Sequence, residues 1–207
     1  IIYKINPNII INTAAFTQVD LAEDKKNIAM TVNAKALDVI SSSAKELSIY
    51  LIHYSTDYVF DGTSKIPYVE NDKTNPINYY GKTKLSGEDY IIQSGCNFTI
   101  FRTSWVISSS GNNFVKKIIE LAKTKENLDV INDQIGVPTS TDFLCKKTID
   151  LINKNEFTKK EIYHLVPNGC TTWFDISKKI VDYFNNKNKN FKLTSKNIIP
   201  VKTNSFK

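Results

Sequence analysis

The 207 residues predict an α/β fold built on a doubly wound, mainly parallel sheet. Three observations lead there. Short apolar runs alternate with stretches of helical periodicity nearly throughout the chain. Those runs are short and bounded by turn residues, as expected of interior parallel strands. Several of them end in small or polar residues, and in open α/β sheets the ligand sits outside the carboxyl ends of the strands.

In order, Ile9-Ile10-Ile11 is a strand leading into Asn12-Thr13-Ala14-Ala15-Phe16. Positions 20–47 carry helical spacing, with Ile28, Val32, Leu37 and Ile40 on the apolar side. Residues 49–54 form the next strand, which breaks into the polar loop Ser55-Thr56-Asp57. Pro76 precedes a helix over 79–93, and a strand at 98–102 ends in Thr103-Ser104-Trp105-Val106. Asn112 is the expected cap of a helix reaching Lys123. A strand at 128–131, a loop at 133–140 containing Gly136 and Pro138, and a helix at 141–153 follow. The chain then reads as a strand at 161–166, a helix at 172–185, a polar Asn/Lys-rich loop at 185–196 and a strand at 197–201.

Composition narrows the class. Hydrophobic residues at 41% and charged residues at 23% are ordinary for a globular protein. No apolar run approaches the roughly 20 residues of a membrane span, and no signal-peptide pattern opens the chain, so no membrane role and a cytoplasmic location are expected. The net charge of +6 is dispersed, with no arginine cluster, which reads as a solvated basic face rather than a nucleic-acid site. Such a mild positive field suits an anionic nucleotide. Cys96, Cys145 and Cys170 are scattered, without a Cys-x-x-Cys pair, and predict reduced core thiols and no zinc centre.

Chemistry concentrates between Ser55 and Glu88. Tyr80 and Lys84 are four residues apart, so a helix places them on one face. Tyr-x-x-x-Lys is a common pattern, and Tyr183 with Lys187 is a second match without supporting context. Two features set the first pair apart: the strand-end Ser55-Thr56-Asp57 upstream, and the continuation Gly81-Lys82-Thr83-Lys84-Leu85-Ser86-Gly87-Glu88. A strand-end Thr facing a Tyr and a Lys on a helix can polarise a carbonyl and protonate it. His53 and His164 read as satisfied strand histidines. The seven glycines form no Gly-x-Gly-x-x-Gly, the usual pyrophosphate turn after a first strand. That turn is expected upstream of Ile1, and the sequence reads as part of a longer chain.

Five blocks, in order, carry a resemblance: Asn12 to Asp20, His53 to Phe60, Tyr80 to Leu85, Phe101 to Val106, and Val130 to Thr139. With these, the chain resembles the dTDP-4-dehydrorhamnose reductases, a family of extended short-chain dehydrogenases/reductases with a Rossmann-like sheet. The family's N-terminal glycine-loop unit and C-terminal segment have no counterpart here, so the fold is expected to be N-terminally truncated and the fragment alone inactive. The resemblance implies a partial NAD(P)-binding domain over 1–132 and a smaller substrate-binding part over 133–207. It implies reduction of the C4 ketone of dTDP-4-dehydro-L-rhamnose by NADPH or NADH, the last step of dTDP-rhamnose biosynthesis for surface polysaccharide.

By that resemblance Tyr80 is the general acid, and Lys84 holds the nicotinamide ribose. Lys84 would also lower the phenol: two charges about 4 Å apart at an effective dielectric near 20 interact by roughly 4 kcal/mol, about three pKa units. Thr56 donates to the ketone oxygen. Ala14, Ala15, Phe16, Thr17 and Tyr54 lie along the cofactor, and Asp57 and Trp105 contact the sugar nucleotide. Some family members are dimers with Mg2+ between subunits, and Asp142 matches a carboxylate there, but no metal site is assigned. The alternatives are a sugar-nucleotide dehydratase or epimerase, disfavoured by Tyr58 where dehydratases carry Glu, and a non-catalytic regulatory subunit.

Overall fold

The computed structural model describes residues 1–155, 157, 159–187 and 191–205. In chain order the elements are α1 (Ile2–Ile5), β1 (Ile9–Asn12), α2 (Leu21–Asp24), α3 (Lys26–Met30), a π-helical turn (Thr31–Lys35), α4 (Ala36–Glu46), β2 (Tyr50–Thr56), α5 (Tyr79–Ser94) and β3 (Asn97–Thr103). Then come β4 (Val106–Ile107), α6 (Phe114–Thr124), β5 (Leu128–Ile131), β6 (Ile135–Gly136), β7 (Thr139–Ser140), α7 (Thr141–Lys154), β8 (Lys160–His164), β9 (Thr171–Thr172), α8 (Trp173–Asn186) and β10 (Ile198–Val201).

The chain divides into two compact units that interleave in sequence. The first comprises Ile1–Thr103 and Thr148–Leu165; the second comprises Ser104–Lys147 and Val166–Lys207. The chain passes between the units three times, rather than at residue 132, because β8 pairs with β3 and returns late sequence to the first sheet.

In the first unit the sheet order is β1-β2-β3-β8, every pair parallel. Successive side chains of a strand point to opposite faces. Leu51, Phe98 and Ile100 accordingly meet Leu37, Ala44 and Ile91 of α4 and α5 on one face. Tyr50, Ile52 and Phe101 meet Leu151, Ile152 and Phe157 on the other. Both faces are covered, which is why the strands read as continuous apolar runs. Among the described residues the second unit holds three two-stranded sheets: β5–β10 and β4–β7 parallel, β6–β9 antiparallel. Its core packs Ile118 and Ala122 of α6 and Val181 of α8 on Val130, Leu193 and Ile198.

Several local expectations change. The long helix over 20–47 is four consecutive pieces, with Lys25 non-helical and a π turn at Thr31–Lys35. The cap of α6 is Asn113 rather than Asn112: its side chain accepts from Lys116 N at 3.2 Å. β8 ends at His164, two residues short of the expected end. Cys96 is a buried thiol, but Cys145 and Cys170 are exposed and not core residues. Part of the Asn/Lys-rich loop, residues 188–190, lies outside the described residues.

The π turn lies against α5 at Gly87. A Cβ there would run into the Asn33 carbonyl oxygen and the Leu37 side chain. Gly87→Ala should therefore destabilise the chain by about 1–3 kcal/mol through overpacking, although Ala is the better helix former by about 1 kcal/mol. A urea midpoint equal to or above that of the unsubstituted chain would contradict this packing.

Candidate active site

The site grows from the carboxyl end of β2 and the first turns of α5. Thr56, the last residue of β2, accepts from Tyr58 N at 3.3 Å and so caps the short turn Asp57–Val59. Its hydroxyl also donates to Asp57 Oδ1 at 3.2 Å. Asn78 caps α5, accepting from Gly81 N at 2.7 Å. A Cβ on Gly81 would collide with the Tyr58 carbonyl oxygen, so only glycine lets that turn lie against the helix. Tyr58 and Tyr80 consequently meet edge to face, with ring centroids 5.6 Å apart.

Further along α5, the buried residues Tyr80, Lys84, Glu88 and Ile91 follow the helical repeat toward the sheet. Odd-numbered residues of β2 lie beneath them. The Lys84 ammonium donates to Tyr54 O at 2.7 Å and to His53 Nε2 at 3.1 Å. One turn on, Glu88 accepts from the Ser55 hydroxyl and forms an ion pair with Arg102 Nη2 of β3 at 2.7 Å. Arg102 also donates through Nη1 to Glu70 O, and the Glu70 carboxylate accepts from His164 N. That chain of contacts ties the 60–76 loop to the end of the sheet. His164 is engaged through Nδ1, 3.1 Å from Tyr68 O, but its buried Nε2 meets no hydrogen-bond partner among the described residues, so it is not the fully satisfied strand histidine expected.

Burial sets the electrostatics. It pushes the Tyr80 phenol up to about 12, with the Thr56 hydroxyl pulling it down and Asp57 and Tyr58 adding to the rise. The expectation that Lys84 lowers the phenol is therefore corrected for this state, because the ammonium is bonded to His53 and the Tyr54 carbonyl instead. Lys84 is itself pushed down to about 8 by burial, against the upward pull of Glu88. His53 is held well below the ordinary imidazole range, by burial first and the Lys84 charge second. Asp57 is raised to about 6 by burial, opposed by its bonds from Thr56 and the backbone.

The residues expected along a cofactor are not all alike. Ala14 and Thr17 are exposed in the loop after β1, and Ala15 and Phe16 are half-buried. Phe16 packs with the cluster of Ala22, Ala29 and Tyr80. The Tyr54 ring lies on the opposite sheet face from Lys84, against Phe101 and the Thr148 hydroxyl. Only its carbonyl reaches Lys84, because residue 54 has the parity of the other face. Trp105 belongs to the second unit, where it stacks on Trp173 at 3.5 Å and covers Gly136. Its φ of 44° is an uncommon left-handed conformation for a bulky residue.

Sequence reasoning missed Asn33. Buried in the π turn, it accepts from Phe16 N at 2.7 Å and donates to Phe16 O and Thr83 Oγ1, each at 3.0 Å. The amide clamps the loop after β1 to α5 directly beneath Tyr80, whose carbonyl accepts from Thr83. A polar residue on the inner side of an otherwise apolar helical stripe was the available signal. Asp142 sits in the first turn of α7. Among the described residues no three His, Cys, Asp or Glu cluster as metal ligands, and no helix is long and apolar enough to cross a membrane.

Comparison with known proteins identifies the family and the fold. Residues 1–207 match the family model described as the RmlD substrate binding domain. A dTDP-4-dehydrorhamnose reductase of Salmonella typhimurium is 43% identical over 95% of this chain and 67% of its own length. One from Escherichia coli K12 is 44% identical over 86% of this chain and 60% of its length. The crystal structure of a dTDP-4-dehydrorhamnose reductase from Bacillus anthracis in complex with NADP is similar at a TM-score of 0.89 and 36% identity, covering 99% of this chain and 69% of that one. The chain spans roughly two thirds of the length of these relatives.

Asp57 gives the site a pH signature. Its carboxyl binds a proton more tightly when folded, so its contribution to stability is lost as pH rises from the unfolded value, about 4, through the folded value, about 6. Asp57→Asn removes that dependence. The stability difference between Asp57→Asn and the unsubstituted chain should shift in favour of the variant between pH 4 and pH 7. Urea unfolding at both pH values measures it, and a pH-independent difference would contradict the burial of this carboxyl.

Proposed function

This chain belongs to the RmlD substrate binding domain family, and from that membership we propose that it forms the body of an NAD(P)H-dependent dTDP-4-dehydrorhamnose reductase. The complete enzyme reduces the C4 ketone of dTDP-4-dehydro-L-rhamnose to dTDP-L-rhamnose in the cytoplasm. The observation that carries this reading is the convergence of the Thr56 hydroxyl and the Tyr80 phenol at the carboxyl end of β2, with a buried Lys84 one turn behind.

The cofactor, when bound, supplies the hydride to the carbonyl carbon. What remains for the protein is the oxygen, which gains negative charge as the hydride arrives. Thr56 donates a hydrogen bond there, stabilising charge that develops only in the transition state. Tyr80 transfers its phenolic proton to the same oxygen. A phenol with a pKa of about 12 carries its proton throughout the neutral range, which a general acid requires. Asp57, beside Thr56, is assigned to the sugar nucleotide. Trp105 is assigned there too, since a bulky residue held at positive φ stores strain of the kind that accompanies ligand contacts.

The chain's residues fit a dinucleotide. Ala14, Ala15, Phe16 and Thr17 present small or half-buried side chains at a strand's carboxyl end, where backbone can approach a ligand. Lys84 has three donors and uses two on Tyr54 O and His53, which leaves one for a ribose hydroxyl. Tyr54 is assigned to the cofactor side only through its backbone. Of the alternatives, a dehydratase needs a carboxylate base where Tyr58 stands, and a phenol held protonated at neutral pH is no such base; desolvation and the neighbouring acidic groups raise it further. A non-catalytic subunit has no use for a Thr, Tyr and Lys kept together.

In the complete enzyme, Tyr80→Phe should lower kcat by about 10²–10⁴ with cofactor affinity nearly intact, and Thr56→Val by about 10²–10³. Steady-state assays with the ketosugar nucleotide decide it. Full turnover in Tyr80→Phe would sink the assignment.

A further inference from the structure

His53 has no part in the reaction as described so far, yet it is buried to 1% exposure directly under the Lys84 ammonium. We propose that His53 is a positioning residue for Lys84, a neutral imidazole whose Nε2 accepts the ammonium proton and sets both its direction and its charge. This inference rests on the reductase reading of the same site and adds to it the group that aims the lysine.

The geometry leaves His53 one arrangement. An ammonium only donates, so Nε2, 3.1 Å from Nζ, must be unprotonated. The ring proton then rests on Nδ1, where a backbone acceptor at Asn12, at the end of β1, favours it; the Asn12 amide nitrogen 3.0 Å away is itself a donor and makes no bond to a protonated Nδ1. The imidazole is therefore held by Lys84 of α5 at Nε2 and faces β1 with Nδ1, where Asn12 and His53 pair across the two strands. Burial and the Lys84 charge both keep it from taking a second proton.

Every other group facing Lys84 is accounted for. From β2 the Tyr54 carbonyl accepts at 2.7 Å. From α5, Glu88 favours the ammonium, but its carboxylate is spent on Ser55 and Arg102. Asp57 and Tyr58 act on Tyr80 rather than on Lys84. Asn33, on the π turn, is committed to Phe16 and Thr83. His53 is thus the one side-chain acceptor, among the described residues, that bonds Nζ. Its removal withdraws a hydrogen bond from a buried charge.

The test uses the complete protein and three variants. His53→Leu removes the acceptor, His53→Gln keeps one at similar reach, and His53→Asn stays polar but falls short of Lys84. Labelling of Lys84 by an amine-reactive reagent is followed by mass spectrometry against pH, without cofactor or substrate. Turnover is measured separately. Loss of a hydrogen bond to a charged group corresponds to about 10- to 100-fold. His53→Leu and His53→Asn should therefore move the labelling midpoint down by about one pH unit or more and lower kcat by a comparable factor. His53→Gln should restore both. An unchanged midpoint in Leu and Asn, or an equal loss in all three variants, would overturn the proposal. Should Leu fail to fold, Asn and Gln still decide it. Because labelling needs no reaction, it judges His53 even where the turnover assay finds the reductase reading wrong.

Discussion

A buried ammonium and a buried carboxylate stand one helical turn apart on α5, and the sheet beneath must answer both. Lys84 and Glu88 are almost without solvent exposure. An uncompensated charge at such depth costs several kcal/mol at least, so the strands can carry nothing but partners there. The alternation of β2 supplies them: His53 and the Tyr54 carbonyl meet Lys84, and Ser55 meets Glu88. β3 adds Arg102 from the neighbouring strand. A one-residue slip of β2 against α5 would turn Ile52 and Tyr54 inward and leave both charges unpaired.

That constraint places the groups proposed to react. With α5 fixed in rotation by Lys84 and Glu88, Tyr80 necessarily falls one turn earlier, over the end of β2, where Thr56 terminates the strand. Gly81 and Gly87 set the depth of the helix, since each lies where a Cβ would strike a carbonyl of the neighbouring segment. Asn33 then fixes the loop after β1 to the same helix. The proposed catalytic arrangement is in this sense a by-product of pairing two buried charges, and the polar loops around it, including the 60–76 segment tied through Glu70, Arg102 and His164, are anchored to the same pair.

Much of this was legible in the sequence. Strand and helix alternation predicted the parallel sheet. The spacing of Tyr80 and Lys84 and the strand-end loop at Thr56 predicted, from local pattern alone, that the two side chains share a face of α5, found buried, and that Thr56 stands at a strand end. What was not legible depends on long-range geometry. The parity that sends the Tyr54 ring to the far face follows from which face α5 covers, and no local pattern states that. The same holds for His53, which reads as an ordinary strand histidine until Lys84 is placed above it. Where the chain passes between the units depends on β8 pairing with β3 across more than fifty residues of intervening chain. The raised phenol of Tyr80 depends on burial, which an isolated Tyr-x-x-x-Lys spacing cannot reveal.

The most direct measurement is a crystal structure of the complete enzyme with the ketosugar nucleotide and an oxidised cofactor, in which no hydride can be delivered. The account predicts that Thr56 Oγ1 and Tyr80 Oη both lie within hydrogen-bond reach of the C4 oxygen, about 2.6–3.2 Å, with Lys84 still seated on His53. A C4 oxygen bound elsewhere, with neither hydroxyl in reach, would contradict the claim that this end of β2 is where the ketone is reduced.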